Sequence, residues 1–374
     1  MLIEVHMLKN YAPTNLNRDD TGAPKTCMFG GTQRGRISSQ CLKHSWRRSP
    51  FLMDEVGHEK IGTRTRKLPE LVAEKLAEKG YSAELVEAAK KKITGFGNKD
   101  GKETTDGKTA QVIAYSPADI EAVANLLAEK LEQCSSPKDV EKLSAKDMQS
   151  AMKSSNTRAV TLDMALFGRM VTSEAFADVE AAMQVAHAIS TNRVMMESDY
   201  FTAVDDLIAG STDETGSGMI GDIDYNSSCY YIYASLDTDK LLENLKNCDD
   251  AEEIVKKAIP ALIETMAFAN PSGKQNSFAG HSLPAAVLVE CRDRKVPVSY
   301  VNAYEKPVRA FGDSGITEES VRRLADECIK TEKMFGIKSA KRLWFSTFED
   351  VKFADGNAVN CATLPELIAQ LPEA

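Results

Sequence analysis

The sequence predicts a mixed α+β chain, a β-sheet core interrupted by one helical insertion and by one acidic excursion between two strands. Three observations carry this. In residues 2–8, Ile3, Val5 and Met7 alternate with Glu4 and His6, the period of a strand with one buried face. Residues 62–153 switch to a charged, helical pattern with proline and Ser-Pro start signals. After Arg193 no Lys or Arg occurs until Lys240, and the run GSTDETGSG lies inside that interval.

Charge and composition narrow the function. The 374 residues carry 46 Lys and Arg against 55 Asp and Glu, a formal net charge of −9. A pI near 5.3 argues against a protein that coats nucleic acid with its whole surface. At 43% hydrophobic and 27% charged residues, the chain is of ordinary globular composition, with core for one or two domains. No apolar run approaches the roughly 18–20 residues that cross a bilayer, and residues 1–6 lack a signal-peptide layout. Cysteines stand at 27, 41, 134, 229, 248, 291, 328 and 361. They form no C-x-x-C pair and none has a histidine at ligand spacing, so they are read as reduced thiols in a cytoplasmic chain. No metal and no cofactor is expected.

Taken in order, the first strand is followed by a loop over 11–24, with Pro13, Asn15, Asn17, Gly22 and Pro24. Within it Asp19 and Asp20 follow Arg18. Paired aspartates could hold a divalent metal for phosphodiester cleavage. An Asx-type turn, with Arg18 held by a neighbouring carboxylate, is favoured because no third carboxylate follows at helical or strand spacing. Phe29-Gly30-Gly31-Thr32 would let backbone amides approach a phosphate, but it is no Walker A loop and by itself reads as a turn. Ser38 or Ser39 caps a helix whose buried stripe includes Leu42 and Trp46, and Pro50 ends it.

Pro69 starts the next helix, with Leu71, Val72 and Leu76. Residues 83–93, 117–132 and 139–152 are further helices, Ser116-Pro117 supplying cap and first turn of the second. Between them residues 95–109 are polar and glycine-rich and read as an exposed loop. Strand character returns over 158–170, where Leu162, Met164 and Leu166 alternate with Asp163 and Ala165. It returns again over 180–190, through Met183, Val185, His187 and Ile189. His187 shares the apolar phase and reads as a half-buried histidine bonded to a neighbour. Residues 225–236 resume as a strand, 250–269 form a helix, 271–276 a turn with Lys274 and Gln275, and 285–289 an apolar strand. The tail returns to helix over 317–334 and from Pro365.

The window 21–53 holds six of the 46 basic residues (Lys25, Arg34, Arg36, Lys43, Arg47 and Arg48) and none of the 55 acidic ones. Such a window in an acidic chain is the footprint of an anionic partner, read here as RNA. Gln40, Lys43 and Arg47 share one helix face, and the amides of the helix N-terminus add an anion site beside them. The acidic excursion carries Glu197, Asp199, Asp205, Asp206, Asp213, Glu214, Asp222 and Asp224, with Tyr200 and Phe201 as candidate apolar anchors. Its natural complement is the basic window of another copy. That contact is head-to-tail, and it builds open filaments rather than closed dimers.

The motifs LNRDD (16–20), FGGTQRGRISSQCLK (29–43), GRMVTS (168–173), VAHAIST (185–191), YFTAVDDL (200–207), GKQNSFA (273–279) and NAYEKPV (302–308) together resemble the CasC-type backbone subunits of type I-E CRISPR Cascade complexes. The resemblance runs nearly end to end and is of general character over 54–157 and the C-terminal tail. It implies an RRM-like (ferredoxin-like) palm over 1–61, 158–190 and 226–374, helical fingers over 62–157, and a thumb hairpin over 191–225. It also implies several copies stacked on one guide RNA (crRNA), each thumb reaching the next subunit. Carried over by position, the guide contacts would be Arg18, Lys25, Ser38, Gln40, Lys43 and Arg47, with Arg34 and Arg36 in the same window. Met170, Thr172 and Ser173 would lie against displaced bases, Tyr200 and Phe201 on the thumb, and Lys274 and Gln275 in the late turn. The implied partners are the crRNA, the target DNA strand paired to it, further copies of the chain, and the large, small, guide 5′-end and guide 3′-end subunits, in antiviral defence and without a membrane. The implied role is non-catalytic. The alternative is a metal-dependent endoribonuclease using Asp19 or Asp20, since backbone subunits of another CRISPR class cut RNA.

Overall fold

The structure is a computed structural model that describes residues 1–153, 157–203, 219–354 and 357–372. Asp205, Asp206, Asp213 and Glu214 of the acidic excursion lie outside the described residues. In chain order the strands are β1 (Leu2–Thr14), β2 (Thr26–Phe29), β3 (Thr32–Ile37), β4 (Thr63–Thr65), β5 (Ile113–Tyr115), β6 (Met183–Val185), β7 (Ala188–Ser190), β8 (Glu197–Ala203), β9 (Met219–Asp237), β10 (Pro284–Arg292), β11 (Lys341–Ser346) and β12 (Ala358–Cys361). The helices are α1 (Ser39–Arg47), α2 (Pro50–Val56), α3 (Leu68–Glu78), α4 (Ala83–Ile93), α5 (Pro117–Leu131), α6 (Pro137–Glu141), α7 (Ala145–Lys153), α8 (Leu162–Phe167), α9 (Thr238–Asn244), α10 (Ala251–Phe268), α11 (Gln275–Phe278), α12 (Ile316–Phe335) and α13 (Leu364–Ala369). None of the described helices is long and apolar enough to cross a membrane.

The chain divides into two compact units, one of residues 1–52, 185–235 and 259–374, the other of residues 53–184 and 236–258. The first is built on a large mixed sheet in the order β12-β11-β10-β1-β9-β7-β3-β2, with β8 paired to β9. β11 and β12 run parallel, whereas β1 to β10, β10 to β11, β3 to β7 and β8 to β9 run antiparallel. Its core gathers Leu8, Tyr231, Leu288, Tyr304, Val321, Leu324 and Trp344. The second unit packs α3, α4, α5 and α7 through apolar side chains at helical spacing: Val72, Leu76, Ala89, Ile93, Val123, Leu127 and Met148 are all buried. Ser116 caps α5 with a complete capping box: its hydroxyl accepts from Asp119 N, and the Asp119 carboxylate accepts from Ser116 N.

Several expectations change. Residues 158–170 do not form a strand: Leu162–Phe167 is a helix, ended by Gly168 at φ +83°. The apparent alternation is void there because Asp163 and Ala165 are as buried as their apolar neighbours. Asp163 is accommodated because it accepts from Gly62 N at 2.7 Å and Thr161 Oγ1 at 2.7 Å. The single helix expected over 139–152 is two, α6 and α7. Pro50 does not end α1; that helix stops at Arg47, and Pro50 opens α2. The loop after α4 is not wholly exposed, since Phe96 and Thr109 are fully buried. β1 is buried on both faces, because it is an inner strand. Glu4 accepts from Tyr233 Oη, Val298 N and Arg292 Nε, each at 2.6 Å. His6 Nδ1 lies 2.8 Å from Tyr231 Oη.

Candidate nucleic-acid interface

β2 and β3 form a hairpin whose two-residue loop is Gly30-Gly31, with φ of +58° and +71°. Both positive angles are those of a tight primed turn, which glycine alone enters without strain. A Cβ at Gly30 would stand 1.8 Å from the carbonyl oxygen of Glu305, so this glycine is also what lets the turn pack against the 301–305 segment. β3 then leads through Ser38 into α1. Ser38 is the N-cap, its Oγ accepting from Cys41 N at 3.3 Å, and Leu42 and Trp46 form the buried stripe as expected. No acidic residue occupies the first turn. Gln40 is exposed, Lys43 and Arg47 half-buried. Burial holds the Lys43 ammonium below its usual pKa.

The loop before β2 docks on this cap. Asn17 Oδ1 accepts from Ser38 N at 2.8 Å, and the Asn17 carbonyl accepts from Lys25 N at 2.8 Å. Asn17 thereby fixes Lys25 beside the start of α1, a role that residue type alone did not suggest. Arg18 is exposed, its backbone bridged to Pro24. The expected pairing of Arg18 with a carboxylate is absent among the described residues. Asp19 is an Asx turn: its Oδ1 accepts from Thr21 N at 2.9 Å, Thr21 Oγ1 at 2.7 Å and Ala23 N at 3.1 Å. The Thr21 hydroxyl is the leading cause that holds the Asp19 carboxyl below its usual pKa. Asp20 is exposed. Among the described residues no three His, Cys, Asp or Glu side chains gather as a metal site.

The two arginines of β3 part company. Arg34 is fully buried. Its Nε donates to Thr32 Oγ1 at 2.9 Å. Nη1 donates to the carbonyls of Ser190 and Thr191 at 3.0 and 2.9 Å, and Nη2 to those of Tyr304 and Glu305 at 2.7 and 3.0 Å. All five N–H donors are used inside the protein, so Arg34 is a structural arginine and not a surface contact. Arg36 is half-buried, with Nε on the Thr26 carbonyl at 3.3 Å and Nη1 3.1 Å from His187 Nδ1. His187 is exposed rather than half-buried, although bonded to a neighbour as expected.

In the late turn Lys274 sits at φ +52°, immediately before α11, and Gln275 Nε2 donates to the carbonyls of Pro271 and Gly280 at 2.7 and 3.2 Å. The turn lies against the Arg18 loop: a Cβ at Gly273 would meet the Leu16 carbonyl oxygen at 2.3 Å. The described arms of the acidic excursion pair as β8 and β9, with Tyr200 opposite Asp222 and Phe201 opposite Gly221. Tyr200 is 66% exposed. Phe201 lies over Gly221, where a Cβ would come within 2.6 Å of its ring, so it is partly committed to its own hairpin.

Met170, Thr172 and Ser173 belong to the second unit, in a loop held by Arg169. That guanidinium donates to Asp119 Oδ2 at 2.5 Å and to the Ala177 and Ala114 carbonyls at 2.9 and 3.1 Å. Met170 is 92% exposed, the most exposed large apolar side chain among the described residues. Thr172 is exposed. Ser173 is buried and donates to Gln149 Oε1 at 2.9 Å, so it supports the loop from inside and offers no surface hydroxyl.

Two solved structures share this fold over 99% of the chain and 98% of their own. One, described as "CRISPR RNA-guided surveillance complex, pre-nicking", is 24% identical with a TM-score of 0.81. The other, "CRISPR RNA-guided surveillance complex", is 21% identical with a TM-score of 0.69. No curated protein sequence matches the chain. Residues 3–370, nearly the whole length, match the family described as CT1975-like protein, and the chain therefore belongs to the Cas CT1975-like family.

Proposed function

We propose that this chain is the non-catalytic guide-RNA-binding backbone subunit of a type I-E Cascade complex, polymerising head-to-tail along the crRNA. The observation that carries the reading is the corner where the β2–β3 hairpin meets α1. Lys25 and Arg36 pair with no carboxylate among the described residues, and the adjoining helix start holds no acid. Such a corner holds phosphates without reading bases, as a guide carrier must for any spacer. Arg18, Gln40, Lys43, Arg47, Lys274 and Gln275 extend it within the same unit. Met170 and Thr172 are the base-facing pair, and Tyr200 the thumb anchor. The palm of this reading is RRM-like, with fingers over 62–157 and the thumb over 191–225. Partners are the crRNA, the paired target DNA strand and the other Cascade subunits. Asp19, engaged by three donors in its turn, supports a structural rather than a metal-binding role for the Asp19-Asp20 pair.

Nuclease footprinting of a guide RNA on the purified protein, with Mg²⁺ present and the protein's own cleavage scored, tests this. Regularly spaced protection with isolated exposed nucleotides and no cutting is expected. One short protected patch would reduce the chain to a solitary RNA-binding domain. Regular cuts, lost in Asp19→Ala or Asp20→Ala, would make it an endoribonuclease.

A further inference from the structure

His187 lies in the break between β6, which ends at Val185, and β7, which begins at Ala188. The break releases it from the apolar phase of both strands and leaves it exposed. Its ring is bonded to Arg36, whose Nη1 stands 3.1 Å from Nδ1. A guanidinium only donates, so the neutral imidazole accepts at Nδ1 and carries its proton on Nε2. The ring therefore presents an N–H donor on the edge away from Arg36.

Arg36 on β3 contacts the ring, and Lys25, just before β2, adds a second positive charge to its surroundings. Lys25 also acts on Cys41 of α1, and Arg36 on Cys27 of β2, so the two thiols and the imidazole share one cationic neighbourhood. Neither cation is matched by a carboxylate among the described residues. Burial, Arg36 and Lys25, in that order, hold the histidine below its usual pKa. Beyond the Thr26 carbonyl and the His187 Nδ1 that Arg36 already uses, the imidazole N–H and the two cations of this neighbourhood meet no carboxylate among the described residues. The missing group is an anion, and it would neutralise the cations that disfavour a proton on the ring.

We propose that His187 is a phosphate-contacting residue of the RNA surface, sharing one phosphate with Arg36, and that it makes RNA affinity rise as pH falls. The inference rests on the RNA-binding reading above and adds to it a residue and a proton. Protonation turns Nδ1 from acceptor to donor, so Arg36 Nη1 releases the ring and turns to the shared phosphate. Phosphate binding thus stabilises the protonated ring, the complex takes up a proton that the unbound protein does not hold, and affinity grows as pH drops toward the unbound histidine's range.

Fluorescence anisotropy with a labelled, unstructured single-stranded RNA, at fixed salt, tests this on the full chain. Between about pH 8 and about pH 5.5 the wild type is expected to tighten roughly tenfold, the effect of one unit of linked shift. His187→Gln abolishes that response. His187→Lys makes affinity independent of pH over the same range and steepens the salt dependence by about 0.7 in log–log slope. An equal pH response in wild type and His187→Gln would overturn the inference and assign the response to another group. Loss of affinity in Lys43→Ala would in that case leave the RNA-binding reading standing. Failure of the wild type to bind RNA at any pH would sink both.

Discussion

Replacing Arg34 with methionine keeps most of the aliphatic volume and removes the guanidinium. Four backbone carbonyls, those of Ser190, Thr191, Tyr304 and Glu305, and the Thr32 hydroxyl then lose the guanidinium's N–H donors, though the Thr191 carbonyl keeps the Val308 N–H at 2.9 Å. Arg34, Ser190, Thr191 and Tyr304 are fully buried, so water does not simply replace the donors there, whereas it can at the exposed Glu305 and the half-buried Thr32. Each orphaned buried group costs about 1–3 kcal/mol, while relief of the charge's own desolvation and local settling offset part of the sum. A loss of about 3–5 kcal/mol follows. Both tryptophans, Trp46 and Trp344, are buried in the first unit, so their fluorescence reports its unfolding. With a urea slope of about 3 kcal/mol/M, the midpoint should fall by roughly 1–1.7 M. Hydrogen exchange should quicken over residues 189–192 and 304–306, the segments that the guanidinium ties to β3. A variant that unfolds at the wild-type midpoint, and instead loses RNA affinity as Lys43→Ala does, would refute the structural assignment and return Arg34 to the binding surface.

Three further outcomes are expected. Gly30→Ala should destabilise the first unit by about 2–4 kcal/mol and Gly31→Ala by only about 1 kcal/mol. Both angles are positive, but a Cβ at Gly30 strikes the Glu305 carbonyl whereas one at Gly31 meets nothing within 4 Å; equal losses in thermal melts would contradict that packing. Burial pushes the His6 imidazole down to about 4, so the unfolded chain binds this proton first on acidification. Stability should therefore fall as pH drops from about 6.5 toward 4, by about 3 kcal/mol in all, and the slope above pH ~5.5, where carboxylates contribute little, should flatten in His6→Gln; an unchanged slope would contradict a neutral buried ring. Asp119 accepts from Arg158 Nε at 3.0 Å and Arg169 Nη1 at 2.5 Å with 2% of its side chain exposed. Asp119→Ala removes the carboxylate that the two guanidiniums share and should cost the second unit about 3–5 kcal/mol, read as faster hydrogen exchange in α5 and around residues 168–179; wild-type protection there would show the ion pairs to be dispensable.

The capped helices were legible because their signals are local. Ser116-Pro117 with Asp119 fixes the start of α5, and α4 falls where its periodicity puts it. What the sequence could not show is which neighbour covers each position. Arg34 and Arg36 share one face of β3 by the two-residue strand period, yet distant segments bury Arg34 completely and leave Arg36 half-exposed beside His187. Glu4 and His6 look like the solvent side of an edge strand until β9 and β10 are known to flank β1. His187 misled in the opposite direction, since its apolar phase holds only if β6 and β7 are one continuous strand. Leu162–Phe167 alternates like a strand, but a segment buried on every side gives periodicity nothing to report. Asn17 was hidden because its function is to clamp a loop to a helix cap 21 residues away.

β1 lies between β9 and β10, and so pairs with segments that begin at Met219 and Pro284. As the chain leaves the ribosome, β1 has no partner until more than 200 residues have followed. At about 5–20 residues per second this is on the order of ten to forty seconds with both edges unpaired. The helices gathering Leu68 through Phe176 into their own core can form during that interval from mainly local contacts. The insertion is thus the natural first structure in biosynthesis, while β1 waits as an exposed template for mispairing. Glu4 and His6 in the midst of that strand, buried and bonded at the end, serve during the wait as polar interruptions of an otherwise aggregation-prone run.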